Sequence, residues 1–130
     1  MSRQRTRDTG PEVRLRSELH RRGLRFRVHR RPLSDLRREA DIVFLRAKVA
    51  VFVDGCFWHG CPIHGSAPKR NDAFWRDKIL GNQVRDAETD SALAASGWKV
   101  VRVWEHETGA EAADRVEAVV RDRSSHHVGP

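Results

Sequence analysis

The twelve residues 54–65, DGCFWHGCPIHG, hold a cluster of side chains that can bind a metal ion. Cys56, Cys61 and His64 follow the spacing C-x4-C-x2-H, and His106 comes directly after the predicted strand WKVVRVWE. Two thiolates and two imidazoles are ligands of tetrahedral structural zinc, and such an ion can hold an irregular loop together. The pattern predicts a structural Zn²⁺ site. The alternative is two buried free cysteines with incidental histidines.

His59 lies between the two cysteines, and its spacing to Cys61 is too tight for it to join the same zinc ion comfortably. The pKa of a histidine lies near neutral pH, which suits a general base beside a hydrolytic metal. Asp86, in the long helical pattern that follows, could orient this imidazole. From the residues alone, a catalytic and a structural role for His59 both remain open.

A second constellation is made of oxygen ligands. Asp41 opens one apolar run and Val53 closes the next. A tight hairpin turning near residues 46–47 would bring the Asp41 carboxylate beside the Val53 backbone carbonyl, and both are the hard ligands that Mg²⁺ prefers. Asp54 adds a carboxylate at the same end, and Glu12 on the first helix could reach it. The alternative is that Asp41 is a turn or capping residue.

Phe57 and Trp58 sit inside the ligand-rich loop. Both cannot point into one core from an irregular loop. If exposed, they could unstack DNA bases as apolar wedges; the alternative is that they pack against the zinc loop and the long helix.

The elements that must position these residues follow from hydrophobic periodicity. The order is α-β-β-β-α-β-α, which predicts an α/β fold with a mixed central sheet flanked by helices. The helices are expected from Thr9, a candidate N-cap, to Gly23, then over 72–96 and 111–123, and the strands over 24–28, 40–46, 48–55 and 98–105. The run VAVFV is apolar throughout, as in a central strand that is buried on both faces.

Charge is distributed unevenly along the 130 residues, whose net charge is +7. Residues 1–38 carry 13 arginines against 4 acidic residues, and arginine outnumbers lysine 21 to 4 in the whole chain. Clustered guanidinium groups are typical of nucleic-acid binding; a GC-rich genome would explain the arginines but not their segregation. No apolar run approaches the roughly 18 residues of a membrane span and no secretory signal opens the chain, so we expect a cytoplasmic protein.

Three segments, VFVDGCFWHGCPIHG, NDAFWRDKILGNQVRD and GWKVVRVWEHE, resemble the very short patch repair (Vsr) DNA mismatch endonucleases. The resemblance runs from about Arg7 to His106. It implies a variant of the restriction-endonuclease-like PD-(D/E)xK fold, with a histidine in place of the catalytic lysine. It also implies a bacterial, nucleoid-associated enzyme, most simply a monomer. Its Mg²⁺-dependent reaction would nick double-stranded DNA 5′ to the mismatched T of a T:G mismatch.

Carried over to this chain, the resemblance implies roles for individual residues. Mg²⁺ is held by Asp41 and the Val53 carbonyl, His59 is catalytic with Asp86 as its partner, and Glu12 lies near the metal-bound water. Asp54 stands where some relatives carry histidine. The resemblance assigns zinc to Cys56, Cys61, His64 and His106, and DNA contact to Phe57, Trp58 and Trp75. Arg14, Arg16, Arg25 and Arg27 are expected to position backbone phosphates.

Two departures from the family pattern leave other functions open. Residues 2–10 contain no large apolar residue where the family commonly has an apolar wedge, and Ala40 replaces a common proline. We expect residues 1–10 to form a flexible basic arm, 11–123 one endonuclease domain and 124–130 a disordered tail. A Vsr-like nickase or restriction-type nuclease with relaxed specificity is the second candidate, and a non-catalytic zinc-stabilised DNA-binding module is the third.

Overall fold

The computed structural model describes residues 10–55 and 72–126, leaving aside the side chains of 72–75 and 124–126. These residues form a four-stranded sheet and three helices, in the predicted order. The elements are α1 (Gly10–Arg21), β1 (Arg27–Arg30), β2 (Ala40–Phe44), β3 (Val49–Asp54), α2 (Asp72–Ala95), β4 (Lys99–Trp104) and α3 (Gly109–His126). None of the helices in these two spans is long and apolar enough to cross a membrane.

The sheet is mixed and its strands lie in sequence order, β1-β2-β3-β4. The first three strands are antiparallel neighbours, and β2 and β3 form the predicted hairpin, with Val43 opposite Ala50. β4 pairs parallel to β3, with Asp54 opposite Trp104. The parallel pair requires a crossover, and α2 lies within it. The carboxyl ends of β3 and β4 therefore meet at one edge of the sheet.

Helices cover both faces of this sheet. The larger core lies between the sheet and the pair α1 and α3, where Leu15, Leu19 and Val116 pack against Ile42 and Val51. On the opposite face, Leu93 of α2 packs with Val43, Ala50, Phe52 and Trp98. Residues 49–52 of β3 are buried, which confirms the prediction of a central strand covered on both sides.

The first strand begins later than predicted. We expected it over 24–28, but it starts at Arg27. The reason is the end of α1, where Gly23 has a left-handed φ of 82°. The N–H groups of Gly23 and Leu24 donate to the carbonyls of His20 and Leu19 at 2.9 and 3.1 Å. This is the Schellman ending of a helix, and it holds the chain in the helix cap through Leu24.

The last helix is longer than the predicted 111–123 at both ends, and residues 124–126, which we expected to begin the tail, continue it. Its start is fixed by a capping box. The N–H of Glu111 donates to Thr108 Oγ1, and the N–H of Thr108 donates to Glu111 Oε1, each at 3.0 Å. The sequence signature of this motif, T-x-x-E, is present at 108–111.

Replacing Thr108 by alanine should lower the free energy of unfolding by about 1 kcal/mol, because an N–H at the start of α3 loses its acceptor. Thr108→Ser, which keeps the hydroxyl, is the matched control and should stay near the wild-type value. Urea unfolding followed by circular dichroism measures both. Equal stability of the alanine and serine variants would mean that the cap does not contribute.

Candidate active site

Asp41 lies at the start of β2, where the hairpin brings it beside the end of β3. Its Oδ2 accepts the backbone N–H of Val53 at 2.7 Å. The structure therefore brings together the two residues that the sequence pairs as Mg²⁺ ligands. The hydrogen bond also fixes one carboxylate oxygen against the sheet.

The Asp41 carboxyl lies in an environment that resists its ionisation. Burial is the main cause, and together with the negative charges of Glu12 and Asp54 it raises the pKa of Asp41 to about 7. The Val53 N–H and nearby His29 act in the opposite direction and lower the pKa. A carboxylate held among other carboxylates in this way is stabilised when a cation binds beside it.

Glu12 and His29 join Asp41 in one cluster. Glu12, in the first turn of α1, is 3% exposed. Its Oε1 lies 4.0 Å from His29 Nε2, and one ligand atom from each of the three residues lies within 4.8 Å of the others. The helix thus brings Glu12 to the sheet edge, as the sequence suggested. His29 was missed because its segment, HRRPLSDLRRE, was interpreted as a loop.

Asp54 and Asp86 both lie beside Arg102. Both oxygens of Asp54, 5% exposed, accept Arg102 Nη1, at 3.0 and 3.2 Å. Asp86 Oδ1 lies 3.5 Å from the same nitrogen, and Asp90 accepts Arg102 Nε and Nη2 at 3.0 and 2.8 Å. A β4 arginine therefore bridges β3 to α2. Arg102 is thus one partner of Asp86, and the expected pairing of Asp86 with His59 stays a prediction because His59 lies outside the described residues.

Arg102 is itself half-buried, with its guanidinium 4.3 Å from the centre of the Phe52 ring. Burial lowers the pKa of Arg102, but the hydrogen bond to Asp90 and the charges of Asp54 and Asp86 outweigh it, and the net pKa is raised. The guanidinium thus stays charged and balances a group of carboxylates. A charged residue in the otherwise apolar strand VVRVW was the sequence signal for this role.

The arginines expected to contact DNA occupy different environments. Arg14, Arg25 and Arg27 are exposed, whereas Arg16 Nη1 lies 3.9 Å from Glu12 Oε1. Beside them is an open groove of about 550 Å³ whose lining includes Arg16, Arg27, His29 and Arg30. Cationic side chains therefore line a concave surface that leads to the Glu12–His29–Asp41 cluster.

Several predicted site residues lie outside the described part of the chain. They are Cys56, Phe57, Trp58, His59, Cys61, His64 and the side chain of Trp75. His106 is described: it is exposed, two residues beyond β4. The N–H of Glu105 donates to the Asp54 carbonyl at 3.0 Å. His106 therefore follows the sheet edge at which the chain enters residues 56–71.

Known proteins resemble this chain over most of its length. A family model described as DNA mismatch endonuclease Vsr matches residues 1–64. The type II nicking enzyme V.NaeI of Lentzea aerocolonigenes is 46% identical over 114 residues, which cover 86% of this chain and 67% of that protein. V.XorIIP of Xanthomonas oryzae, also a type II nicking enzyme, is 46% identical over 109 residues, 82% of this chain and 77% of that protein.

The DNA mismatch endonuclease Vsr of Escherichia coli is 39% identical over 102 residues, 77% of this chain and 63% of that protein. Among solved structures, a homing endonuclease catalytic domain, I-Bth0305I, aligns with a TM-score of 0.56 at 18% identity. The alignment covers 94% of this chain and 100% of that domain, which shows that the two share a fold. The family model and the sequence relatives show that the chain is a DNA endonuclease and belongs to the Vsr family.

Proposed function

We propose that this endonuclease uses Mg²⁺ to nick one strand of duplex DNA 5′ to the mismatched T of a T:G pair, as in very short patch repair. The observation that carries the proposal is the half-buried Asp41 carboxyl, which forms one cluster with Glu12 and His29, beside a groove lined by His29 and several arginines. A mismatch activity is named for the Escherichia coli relative. Phosphodiester hydrolysis needs charge stabilisation at such a position.

The residues of the cluster fit a divalent cation. Burial and neighbouring carboxylates raise the pKa of Asp41, and a cation would offset that cost. Asp41 and the Val53 carbonyl would hold the ion, with Glu12 beside them. Bound there, the ion would supply Lewis-acid stabilisation of phosphate charge and a water of lowered pKa.

The protein's own side chains complete the reaction in this proposal. Arg27 and Arg30 hold the phosphates of the cleaved strand along the groove, which fixes the scissile bond against Asp41. His59 moves a proton at its imidazole, either from the attacking water or through a water at the leaving oxygen. Phe57, Trp58 and Trp75 contact the mismatched bases.

We also propose a structural Zn²⁺ ion held by Cys56, Cys61, His64 and His106. The support is chemical and topological: the four donors are of the zinc type, and His106 follows the end of β4, which pairs with the end of β3 at Asp54, two residues before Cys56 in the sequence. Zinc would hold the loop that presents His59.

A second function is favoured by the names of other relatives. The two relatives at 46% identity are type II nicking enzymes, and residues 2–10 contain no large apolar residue for a second wedge. The alternative is therefore a nickase whose choice of site depends on sequence or base modification rather than on a mismatch.

A nicking assay separates these functions. Duplexes with T:G, T:A, C:G or 5-methylcytosine:G at one position, with randomised flanks and separately labelled strands, are incubated with Mg²⁺ or with EDTA. We expect one nick, in the T strand of the T:G duplex, that requires Mg²⁺. Equal nicking of T:G and T:A would support the relaxed nickase, and cleavage that persists in EDTA would contradict the metal site.

A further inference from the structure

We propose that His29 is a nitrogen ligand of the catalytic metal site, so that Glu12, His29 and Asp41 form one mixed donor set. The consequence is a site that binds Mn²⁺ much more tightly than Mg²⁺. This inference rests on the metal site of the proposed function, but it concerns a residue that the family resemblance does not assign.

The sheet register places His29 against Asp41. Arg27 pairs with Val43, Val28 with Ile42 and Arg30 with Ala40, and the same register sets His29 opposite Asp41. Residues directly opposite each other on antiparallel strands direct their side chains to the same face. The influence of His29 on the pKa of Asp41 agrees with this closeness.

The backbone conformation of His29 is unusual, although the residues on either side of it pair regularly with β2. His29 has a φ of 52°, a left-handed conformation that costs energy in a residue other than glycine. Its side chain is 12% exposed and directed inward. The left-handed backbone conformation of His29 therefore accompanies a side chain that lies near Glu12 and is largely shielded from solvent.

The distances suit an ion between the three side chains. His29 Nε2 and Glu12 Oε1 are 4.0 Å apart, which is too long for a direct hydrogen bond. With metal–ligand bonds of about 2.1–2.2 Å, two ligands of an octahedral ion lie roughly 3.0 Å apart when adjacent and 4.4 Å apart when opposite. The 4.0 Å separation lies between these two values, so the side chains need shifts of up to about 1 Å to close on an ion as adjacent ligands.

The donor types determine which ion is favoured. Mg²⁺ strongly prefers oxygen ligands and keeps its waters. Imidazole nitrogen favours first-row transition ions, among which Mn²⁺ also accepts carboxylates readily. One imidazole with two carboxylates therefore favours Mn²⁺, while the carboxylates alone would accept Mg²⁺.

Among the described histidines, His29 is the one in the cluster with Glu12 and Asp41, whereas His106, beyond the end of β4, belongs to the proposed zinc site. Arg102 engages Asp54 on the other side of β3, and His20 instead stacks on the Phe26 ring, with centroids 4.5 Å apart. His20 is thus a matched control: it is a histidine of the same region that lies outside the cluster.

The test measures Mn²⁺ binding directly, on full-length protein loaded with stoichiometric Zn²⁺ so that the proposed zinc ligands are occupied. Pulsed electron paramagnetic resonance detects coupling of a histidine nitrogen to Mn²⁺, and calorimetry gives the affinities for Mn²⁺ and Mg²⁺. The variants are His29→Asn, because asparagine tolerates a positive φ, His29→Gln as a second replacement, and His20→Asn as the control.

We expect nitrogen coupling in the wild type and in His20→Asn, and its loss in both His29 variants. Mn²⁺ affinity should fall on the order of 100-fold in the His29 variants while Mg²⁺ affinity changes by less than about threefold. Nitrogen coupling that survives in both folded His29 variants, or unchanged Mn²⁺ affinity, would overturn the proposal. If Mn²⁺ binds with nitrogen coupling but no duplex is nicked, the ligand assignment stands and the proposed function fails.

Discussion

Asp41→Asn is expected to reduce nicking by on the order of 10³-fold, because the cation loses one of its two charged ligands and several kcal/mol of transition-state stabilisation with it. Asparagine keeps an oxygen that can accept the Val53 N–H. The substitution therefore removes the charge while leaving the hairpin contact in place, and the fold should survive.

The same substitution should stabilise the metal-free protein at alkaline pH. The pKa of Asp41 is about 7 in the folded protein, far above the value of about 4 in an unfolded chain. The folded state therefore holds a proton that the unfolded state loses between about pH 4 and pH 7, so stability falls as the pH rises through this window. In EDTA the gain from Asp41→Asn should grow with pH, up to about 4 kcal/mol above pH 7.

Chemical denaturation at pH 5 and pH 8 in EDTA, together with single-turnover nicking in Mg²⁺, measures the two effects. Asp35→Asn is the control, because Asp35 is an exposed aspartate outside the cluster; it should change neither quantity. Nicking within tenfold of wild type, or a metal-free variant less stable than wild type at pH 8, would contradict the role given to Asp41.

Arg102→Met should have the largest effect on stability, a loss of about 3–5 kcal/mol, because Asp54 is left buried without its cationic partner. Asp86 and Asp90 also lose a partner that joins α2 to β4. Methionine fills a similar volume, so the loss reports the charge more than the packing.

Two further variants test whether the charge is responsible. Arg121→Met removes an arginine that pairs with Glu117 and is 61% exposed in its side chain, and it should cost less than about 1 kcal/mol. Adding Asp54→Asn to Arg102→Met should recover part of the loss, because an amide has no charge to desolvate. Urea unfolding gives all four stabilities.

The pH dependence of the Arg102→Met loss has a definite sign. Without the guanidinium, protonation of the Asp54 carboxylate removes its uncompensated buried charge, so the deficit of the variant should shrink as the pH falls toward pH 4. A deficit that is the same at pH 4.5 and pH 7.5, or a recovery that is absent in the double variant, would show that Arg102 acts through packing alone.

The sequence predicted the elements whose patterns are strong. The runs ADIVF and VAVFV gave the β2–β3 hairpin, and with it the meeting of Asp41 and Val53, because β-branched residues on both sides of a short turn leave few alternatives. The first strand was placed wrongly because alternation in LRFRV has the same period as a strand, while the competing cap at Gly23 depends on hydrogen bonds back to α1.

Site residues were predictable where a short hairpin joins the strands that carry them. They were harder to predict where elements far apart in the sequence meet only in the folded protein. Arg102 looked like one polar residue in an apolar strand, and its three acidic neighbours lie on elements that meet in the tertiary structure. His29 was hidden for a related reason: its segment has the composition of a loop, and the register that sets it opposite Asp41 belongs to the assembled sheet.

Among the described residues, β1 lies at the outer end of the strand order, and this position has a consequence for aggregation. An edge strand offers backbone groups on which another chain can extend the sheet, and charged side chains and local breaks in the strand oppose such growth. β1 carries Arg27 and Arg30 on either side of the left-handed backbone at His29. The residues that we place against DNA phosphate and metal therefore also discourage two copies from joining edge to edge and aggregating.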